Sequence, residues 1–165
     1  VHISTDYVFD GSNPAEYREE DPMTPLGVYG QSKAAGDLAA MSCPQHYIVR
    51  TSWVIGDGSN FVRTMSRLAD SGVNPSVISD QVGRVTFAED IAKAVRHLLD
   101  TRAPYGIYNV TCDGTPASWY DIAEIIFEAL GYDKHRVSET RATDFAREKK
   151  GPCAPRPANP ATRQA

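Results

Sequence analysis

The chain has 165 residues, of which 41% are hydrophobic and 23% charged, and its formal net charge is -4 with a pI near 5.5. This length fits one ordinary domain with a buried core, and the composition is that of a soluble globular protein. The acidic balance and scattered Lys and Arg argue against a nucleic-acid-binding protein, and no apolar run reaches the roughly 20 residues that a membrane helix needs.

Cysteines and histidines predict neither disulfides nor a metal site. They are Cys43, Cys112 and Cys153, and His2, His46, His97 and His135. The cysteines are odd in number and form no Cys-x-x-Cys pair, and the histidines do not cluster at the spacing of metal ligands. We therefore expect reduced thiols, a cytoplasmic location and no structural metal.

Predicted strands and helices alternate along the chain. Short apolar stretches bounded by turn residues favour strands, and apolar residues three and four apart favour helices. In order, these are a strand end at 1–5, a loop at 10–28, a helix at 29–41, a strand at 47–55, a helix at 61–69, a strand at 76–79, a helix containing Ile91, Val95, Leu98 and Leu99, a strand at 107–111 and a helix from 118. This order indicates an α/β fold with a largely parallel sheet.

Local signals mark several helix boundaries. Thr86-Phe87-Ala88-Glu89 fits a capping box, and so does Ser118 with Asp121. Gly131 is expected to end the last of these helices as a C′ glycine. The helix at 29–41 is expected to bury a face made of Ala34, Ala35, Leu38 and Met41.

The carboxy-terminal end differs from the rest. Residues 151–165 contain the closely spaced Pro152, Pro155, Pro157 and Pro160, which favours a loop or disordered tail. We therefore expect one folded unit at residues 1–150, followed by a Pro-rich tail.

Tyr29 and Lys33 are the first candidate functional residues. They are four residues apart, so on a helix they share a face. A free tyrosine has a pKa of about 10, so proton exchange near neutral pH requires that its charged form be stabilised. A lysine ammonium one turn away provides this stabilisation, and it can also bind a ribose hydroxyl of a dinucleotide. Many helices carry such a pair by chance, so the pair alone is a weak signal.

Two further groups follow predicted strands. In open α/β sheets, ligands bind beyond the carboxyl ends of the strands. The hydroxyl of Thr5 could donate to a substrate carbonyl there, although Thr5 and Asp6 are also ordinary turn formers. Trp53 could line a sugar pocket or belong to the core. Asn60 could donate to a diphosphate or simply cap a helix.

The combination of these residues is more specific than its parts. Thr5, a long loop and then Tyr29-x-x-x-Lys33 resembles the Ser/Thr–Tyr–Lys triad of the extended short-chain dehydrogenase/reductase family, which has a Rossmann-like fold. Within that family the chain is similar to dTDP-4-dehydrorhamnose reductases. The segments that carry this similarity are 2–11, 17–22, 25–30, 50–53, 80–86 and Arg156-Pro157.

The resemblance implies a reaction and a role for each candidate. An NADPH or NADH cofactor would reduce the C4 carbonyl of dTDP-4-dehydro-L-rhamnose to give dTDP-L-rhamnose, a precursor of cell-surface polysaccharide. Tyr29 would be the general acid. Lys33 would assist Tyr29 and bind the nicotinamide ribose, and Thr5 would bind the substrate carbonyl. The residues implied in substrate binding are Asp6, Tyr7, Trp53, Asn60 and Arg84.

One sequence detail separates related activities. Dehydratases that look similar carry Asp-Glu after the Thr, because elimination needs both an acid and a base. Here the pair is Asp6-Tyr7, so simple reduction of a carbonyl fits better than dehydration.

The chain also departs from the family pattern. The Gly-x-x-Gly-x-x-Gly turn that holds the pyrophosphate is absent, so the amino-terminal half of the fold is expected to lie outside this chain. That half, a fused epimerase or a second copy in a homodimer are the expected partners besides the dTDP-sugar. Other hypotheses are a non-catalytic binding subunit, like the regulatory subunit of methionine adenosyltransferase, another sugar-nucleotide epimerase or reductase, and an inert fragment.

Overall fold

The computed structural model describes residues 1–13 and 15–148. The expected tail at 151–165, with its Arg156-Pro157 pair, lies outside these residues. The strands are β1 His2–Thr5, β2 Tyr47–Thr51, β3 Val54–Ile55, β4 Ser76–Ile78, β5 Val82–Gly83, β6 Thr86–Phe87, β7 Gly106–Asn109, β8 Ala117–Ser118 and β9 Ser138–Thr140. The helices are α1 Val28–Met41, α2 Phe61–Asp70, α3 Ala88–Asp100, α4 Trp119–Ala129 and α5 Ala142–Glu148, with 3-10 turns at Asp6–Val8 and Lys134–Arg136.

A three-stranded parallel sheet in the order β1-β2-β7 organises the first part of the fold. All five residues of the central strand β2 are buried, as expected of a strand covered on both faces. Tyr47 and Val49 pack with Ile91 and Leu98 of α3, and Arg50, which points to the other face, contacts α1. The prediction of an α/β fold with parallel strands is confirmed.

A second core lies between α2, α4 and the parallel pair β4-β9. Its buried members are Met65, Ala69, Val77, Ala123, Ile126, Phe127 and Val137. The helix α4 ends as predicted, because Gly131 takes φ +80° and Tyr132 N–H donates to the Phe127 carbonyl at 2.9 Å, which is a Schellman ending. Within the described residues, no helix has both the length and the apolar character of a membrane span.

The two expected capping boxes have different outcomes. The box of Ser118 and Asp121 is present at the start of α4. The one at Thr86 is absent, because α3 begins at Ala88 after Phe87, which provides no side-chain cap. Thr86 instead lies in β6, where its N–H donates to the Trp53 carbonyl at 3.1 Å. Thr86 therefore pairs with β3 as part of a strand and does not cap α3.

The expected strand at 47–55 is broken into β2 and β3. The break contains Trp53, whose φ of 40° is unusual for a residue other than glycine. After Thr51 the chain leaves the main sheet, and Val54 and Ile55 pair with β6 instead. The positive φ belongs to the turn by which one apolar stretch serves two sheets.

The helix α1 does not bury the face that its apolar residues indicated. Ala35 is exposed and Leu38 is 60% exposed. The buried residues of this helix are Gly30, Ala34 and Asp37. Small residues allow α1 to approach β1 and the following turn closely. The inner face of the helix therefore consists of two small residues, Gly30 and Ala34, and one carboxylate, Asp37.

We expect Gly30→Ala to reduce the free energy of unfolding by about 1–3 kcal/mol, which is typical of overpacking. A Cβ at this position would overlap the backbone carbonyl oxygen of Tyr7, which cannot move as a side chain can. Urea unfolding followed by circular dichroism measures the change. Gly27→Ala is the matched control, because a Cβ there meets no atom within 4 Å. An equal loss in the two variants would contradict this account.

Candidate active site

The candidate residues other than Asn60 and Arg84 lie beside the carboxyl ends of β1 and β2. These strands are parallel neighbours, and Thr5 lies opposite Thr51 in their register. One group follows β1 and continues onto α1: Thr5, Asp6, Tyr7, Tyr29 and Lys33. Trp53 follows β2 by two residues. This edge is where parallel α/β sheets bind ligands.

The side chains of Thr5 and Asp6 are buried and bonded to each other. Thr5 is 5% exposed and Asp6 is 1% exposed. The Thr5 hydroxyl donates to Asp6 Oδ1 at 3.1 Å and accepts the Tyr7 N–H at 3.2 Å. Asp6 therefore orients the Thr5 hydroxyl and is not itself open to solvent in the described chain.

Tyr29 and Lys33 are much more accessible. Tyr29 is 57% exposed, and its ring meets the ring of Tyr7 edge to face with centroids 6.0 Å apart. Lys33 reaches β1, where its Nζ donates to the Ile3 carbonyl at 2.5 Å. The first turns of α1 therefore present a phenol and an ammonium beside the end of β1.

Trp53 is enclosed by other residues of the chain. It is 8% exposed, it stacks on Trp119 at a centroid distance of 3.7 Å, and it lies so close to Gly83 that a Cβ there would be 2.9 Å from the indole. Its Nε1 has no hydrogen-bond partner among the described residues. A residue with a positive φ costs roughly 1–3 kcal/mol of strain, and such residues concentrate at functional sites.

Asn60 and Arg84 both have structural contacts. Asn60 caps α2, since its side chain accepts the Arg63 N–H at 3.0 Å and donates to the Gly56 carbonyl at 2.8 Å. Arg84 donates to the Gly114 carbonyl at 2.9 Å and to the Glu16 carboxylate at 2.8 Å. These contacts are with Arg63, Gly56, Gly114 and Glu16, which lie outside the group around Thr5. Arg84 does, however, link the loop before α1 to the β5 region.

The loop before α1 is held by one aromatic and one acidic residue. The Tyr17 ring stacks on Phe9 with centroids 4.4 Å apart, and its hydroxyl donates to Asp10 Oδ1 at 2.6 Å. This bond, with further bonds from Ser12, lowers the pKa of Asp10 to about 2. Burial and the Asp10 carboxylate raise the pKa of Tyr17.

Sequence reasoning missed a buried polar network beneath this loop. Arg50, 1% exposed, donates from Nε to Asp37 Oδ2 at 3.0 Å and from Nη1 to the Glu19 carbonyl at 3.0 Å. The Glu19 carboxylate accepts the Asn109 N–H at 2.9 Å. The available signal was an arginine inside the apolar stretch at 47–51, because a buried charge requires a partner.

No cluster of three or more His, Cys, Asp or Glu suited to a metal ion occurs within residues 1–13 and 15–148. The free thiols in this range are Cys43, which is exposed, and Cys112, which is partly buried.

Comparison with known proteins shows that the fold is similar to solved structures of dTDP-4-dehydrorhamnose reductases. A dTDP-4-dehydrorhamnose reductase from Bacillus anthracis, solved in complex with NADP, superposes with a TM-score of 0.86 at 33% identity, covering 99% of this chain and 56% of that one. The orthologue from Clostridium acetobutylicum gives a TM-score of 0.86 at 37% identity, with the same coverage of 99% and 56%.

The RmlD substrate binding domain model matches residues 1–163, and the chain belongs to that family. It is 44% identical over 160 residues to the spore coat polysaccharide biosynthesis protein SpsK of Bacillus subtilis, covering 96% of this chain and 53% of the relative. It is 41% identical to a dTDP-4-dehydrorhamnose reductase of Sinorhizobium fredii, covering 96% and 55%. The chain thus spans about half the length of these curated relatives, and the resemblance inferred from the sequence is confirmed.

We expect Tyr17→Phe to raise the pKa of Asp10 from about 2 towards the ordinary value of about 3.9, because the variant removes the largest cause of the lowered value. A pH titration of the Asp10 carboxyl carbon by NMR measures the shift. Tyr132→Phe is the control, since that hydroxyl bonds Asp70 instead. Identical Asp10 titrations in wild type and Tyr17→Phe would refute the assignment.

The same variant should change how stability depends on pH. The folded-state pKa of Asp10 lies below its unfolded value, so its contribution to stability is present above a pH of about 4 and is lost as pH falls towards 2. Tyr17→Phe should therefore lose less stability than wild type over this acidic interval.

Proposed function

We propose that residues 1–150 form the catalytic and substrate-binding part of an NADPH- or NADH-dependent reductase that converts dTDP-4-dehydro-L-rhamnose to dTDP-L-rhamnose. The observation that carries this proposal is the arrangement at the end of β1. There an oriented threonine hydroxyl precedes Tyr7, and Tyr7 touches an exposed tyrosine that lies one helical turn from a lysine. The names of the full-length relatives support the same reaction.

Tyr29 is the proposed general acid. Its phenol is accessible, so it can reach the oxygen of a carbonyl bound above the end of β1. The proton moves from the Tyr29 hydroxyl to the oxygen that becomes the C4 hydroxyl of the product. The Lys33 ammonium lies one turn along the same helix face, where it would assist Tyr29 during this transfer.

Thr5 is the proposed ligand of the substrate carbonyl. Its single hydroxyl proton is bonded to Asp6 Oδ1, so a carbonyl that takes this hydrogen bond must compete with a carboxylate. The Tyr7 N–H meanwhile holds the Thr5 oxygen in place. Asp6 and the Tyr7 backbone together fix the direction from which Thr5 can donate.

The residues present fit the nicotinamide-ribose end of a dinucleotide. Tyr29 and Lys33 offer a hydroxyl and an ammonium at an accessible surface, and these groups suit ribose hydroxyls. Bound NADPH or NADH would supply the hydride that adds to C4. The glycine-rich turn for the pyrophosphate is not in this sequence, so we assign that end of the cofactor site to the remaining half of such a fold.

The sugar and nucleotide ends of the substrate are proposed to lie towards Trp53, Asn60 and Arg84, with Asp6 and Tyr7 beneath the sugar. The unpartnered Nε1 and strained backbone of Trp53 support a ligand contact there. Asn60 marks the amino terminus of α2, where backbone N–H groups favour a diphosphate.

The proposal is tested by NADPH oxidation with dTDP-4-dehydro-L-rhamnose, using this chain alone and joined at residue 1 to the amino-terminal half of SpsK. We expect turnover from the fusion protein, and kcat should fall about 100-fold or more in Tyr29→Phe, because the proton donor is lost. Tyr105→Phe is the control. It removes the hydroxyl of a similarly exposed tyrosine, 54%, that precedes the amino end of β7.

The outcome against the proposal is equally definite. A fusion protein that binds NADPH and unfolds cooperatively but does not reduce the sugar would exclude this reaction. Full activity of Tyr29→Phe would leave the reaction standing and remove Tyr29 from it.

A further inference from the structure

We propose that Arg50 and Asp37 are a positioning pair that sets where Tyr29 and Lys33 stand relative to Thr5. This inference rests on the proposed function, since it concerns the geometry of the same site. Neither residue belongs to the group that would touch substrate. Their effect would come from joining β2, α1 and the loop that leads into α1.

Asp37 lies on the stripe of α1 that carries the proposed acid. Tyr29, Lys33 and Asp37 follow one another at intervals of four residues, so they occupy adjacent turns on nearly the same face. Exposure falls along this stripe, from 57% at Tyr29 to 0% at Asp37. Asp37 is therefore the buried anchor of a row whose other end is open to solvent.

Arg50 holds this anchor from the central strand. Its Nε is 3.0 Å from Asp37 Oδ2, and the two side chains are 1% and 0% exposed. Water cannot replace either partner at this depth, and an unpaired buried charge costs far more than an exposed one. A small rotation or slide of α1 would break the bond, so the pair resists the displacements that would move Tyr29.

The same guanidinium also holds the loop that leads into α1. Its Nη1 donates to the Glu19 carbonyl at 3.0 Å, and its Cζ lies 5.2 Å from the centre of the Phe9 ring. The Glu19 carboxylate is in turn bonded to β7 through the Asn109 N–H. One side chain thus fixes both the helix that carries Tyr29 and the segment that enters it.

The strand that carries Thr5 meets the pair at the same point. His2, at the start of β1, places Nε2 3.3 Å from Asp37 Oδ1, and a Cβ on Gly36 would lie 3.1 Å from the His2 ring. Three elements, α1, β1 and β2, therefore meet at one carboxylate. Their common register would decide the distance between the Thr5 hydroxyl and the Tyr29 phenol.

The test variant combines Asp37→Leu with Arg50→Met in the SpsK fusion protein. Replacing a buried ion pair by apolar residues of similar volume often leaves stability unchanged, while the directional bonds to α1 and Glu19 are lost. We expect kcat to fall about 100-fold, as for a misplacement of about 1 Å, with KM for the sugar nucleotide unchanged within about twofold. The single variant Arg50→Lys keeps a positive charge beside Asp37, so its kcat should lie between that of the double variant and that of wild type.

The matched control is Asp100→Leu with Arg96→Met, which removes an exposed ion pair of α3 with 66% and 83% of the side chains accessible. It should leave kcat and KM as in wild type. A kcat for the Asp37 and Arg50 variant equal to that of this control would overturn the inference, as would a rise in KM at constant kcat.

A second measurement separates this inference from the proposed reaction. The nuclear Overhauser effect between the rings of Tyr7 and Tyr29, whose centroids are 6.0 Å apart, reports the position of α1 in this chain without any turnover. We expect it in wild type and in the control, and we expect it to weaken in the Asp37 and Arg50 variant. If the fusion protein lacks reductase activity, an unchanged effect overturns the positioning role, and a weakened one supports it.

Discussion

The close approach of α1 to β1 is the constraint on which the rest of the site depends. Gly30 lies against the Tyr7 carbonyl and Gly36 against the His2 ring, and no larger side chain fits either position without movement of its neighbour. Helix packing usually relies on an apolar stripe, but here small residues and one carboxylate take its place. The helix therefore has few alternative positions, which would favour the chemistry proposed for Tyr29 and Lys33.

Parallel pairing gives this contact its setting. Because β1 and β2 are in register at Thr5 and Thr51, the segments that follow them leave the sheet side by side. One becomes the 3-10 turn at Asp6–Val8, and the other becomes the turn at Trp53. Two segments far apart in sequence thus begin at the same edge of the sheet, which is the edge where parallel α/β sheets bind ligands.

The sequence predicted the elements better than it predicted their packing. Thr86 and Ser118 have the same local pattern, yet only Ser118 caps a helix, because Thr86 is held in a strand by the Trp53 carbonyl. Leu38 is exposed and Asp37 buried, since the partner that makes burial of a carboxylate possible, Arg50, lies on another element. Such outcomes depend on contacts that periodicity does not contain.

The candidate residues show the same division. The four-residue spacing predicted that Tyr29 and Lys33 share one face of a helix, and both lie on α1. The predicted strand end at Thr5 is the end of β1. The bond from Thr5 to Asp6 and the capping contacts of Asn60 required coordinates. A polar side chain in a motif can already be hydrogen-bonded to a neighbouring residue, and the sequence alone does not show such a bond.

The backbone and the side-chain contacts of Trp53 favour different residue types. Its positive φ is a conformation that glycine and asparagine adopt most readily. The stack on Trp119 and the contact with Gly83, by contrast, require a large aromatic ring. Backbone strain of this kind costs roughly 1–3 kcal/mol, whereas truncation of a buried tryptophan costs about 3–5 kcal/mol. Trp53 is therefore a position where burial of an aromatic ring outweighs an unfavourable backbone conformation.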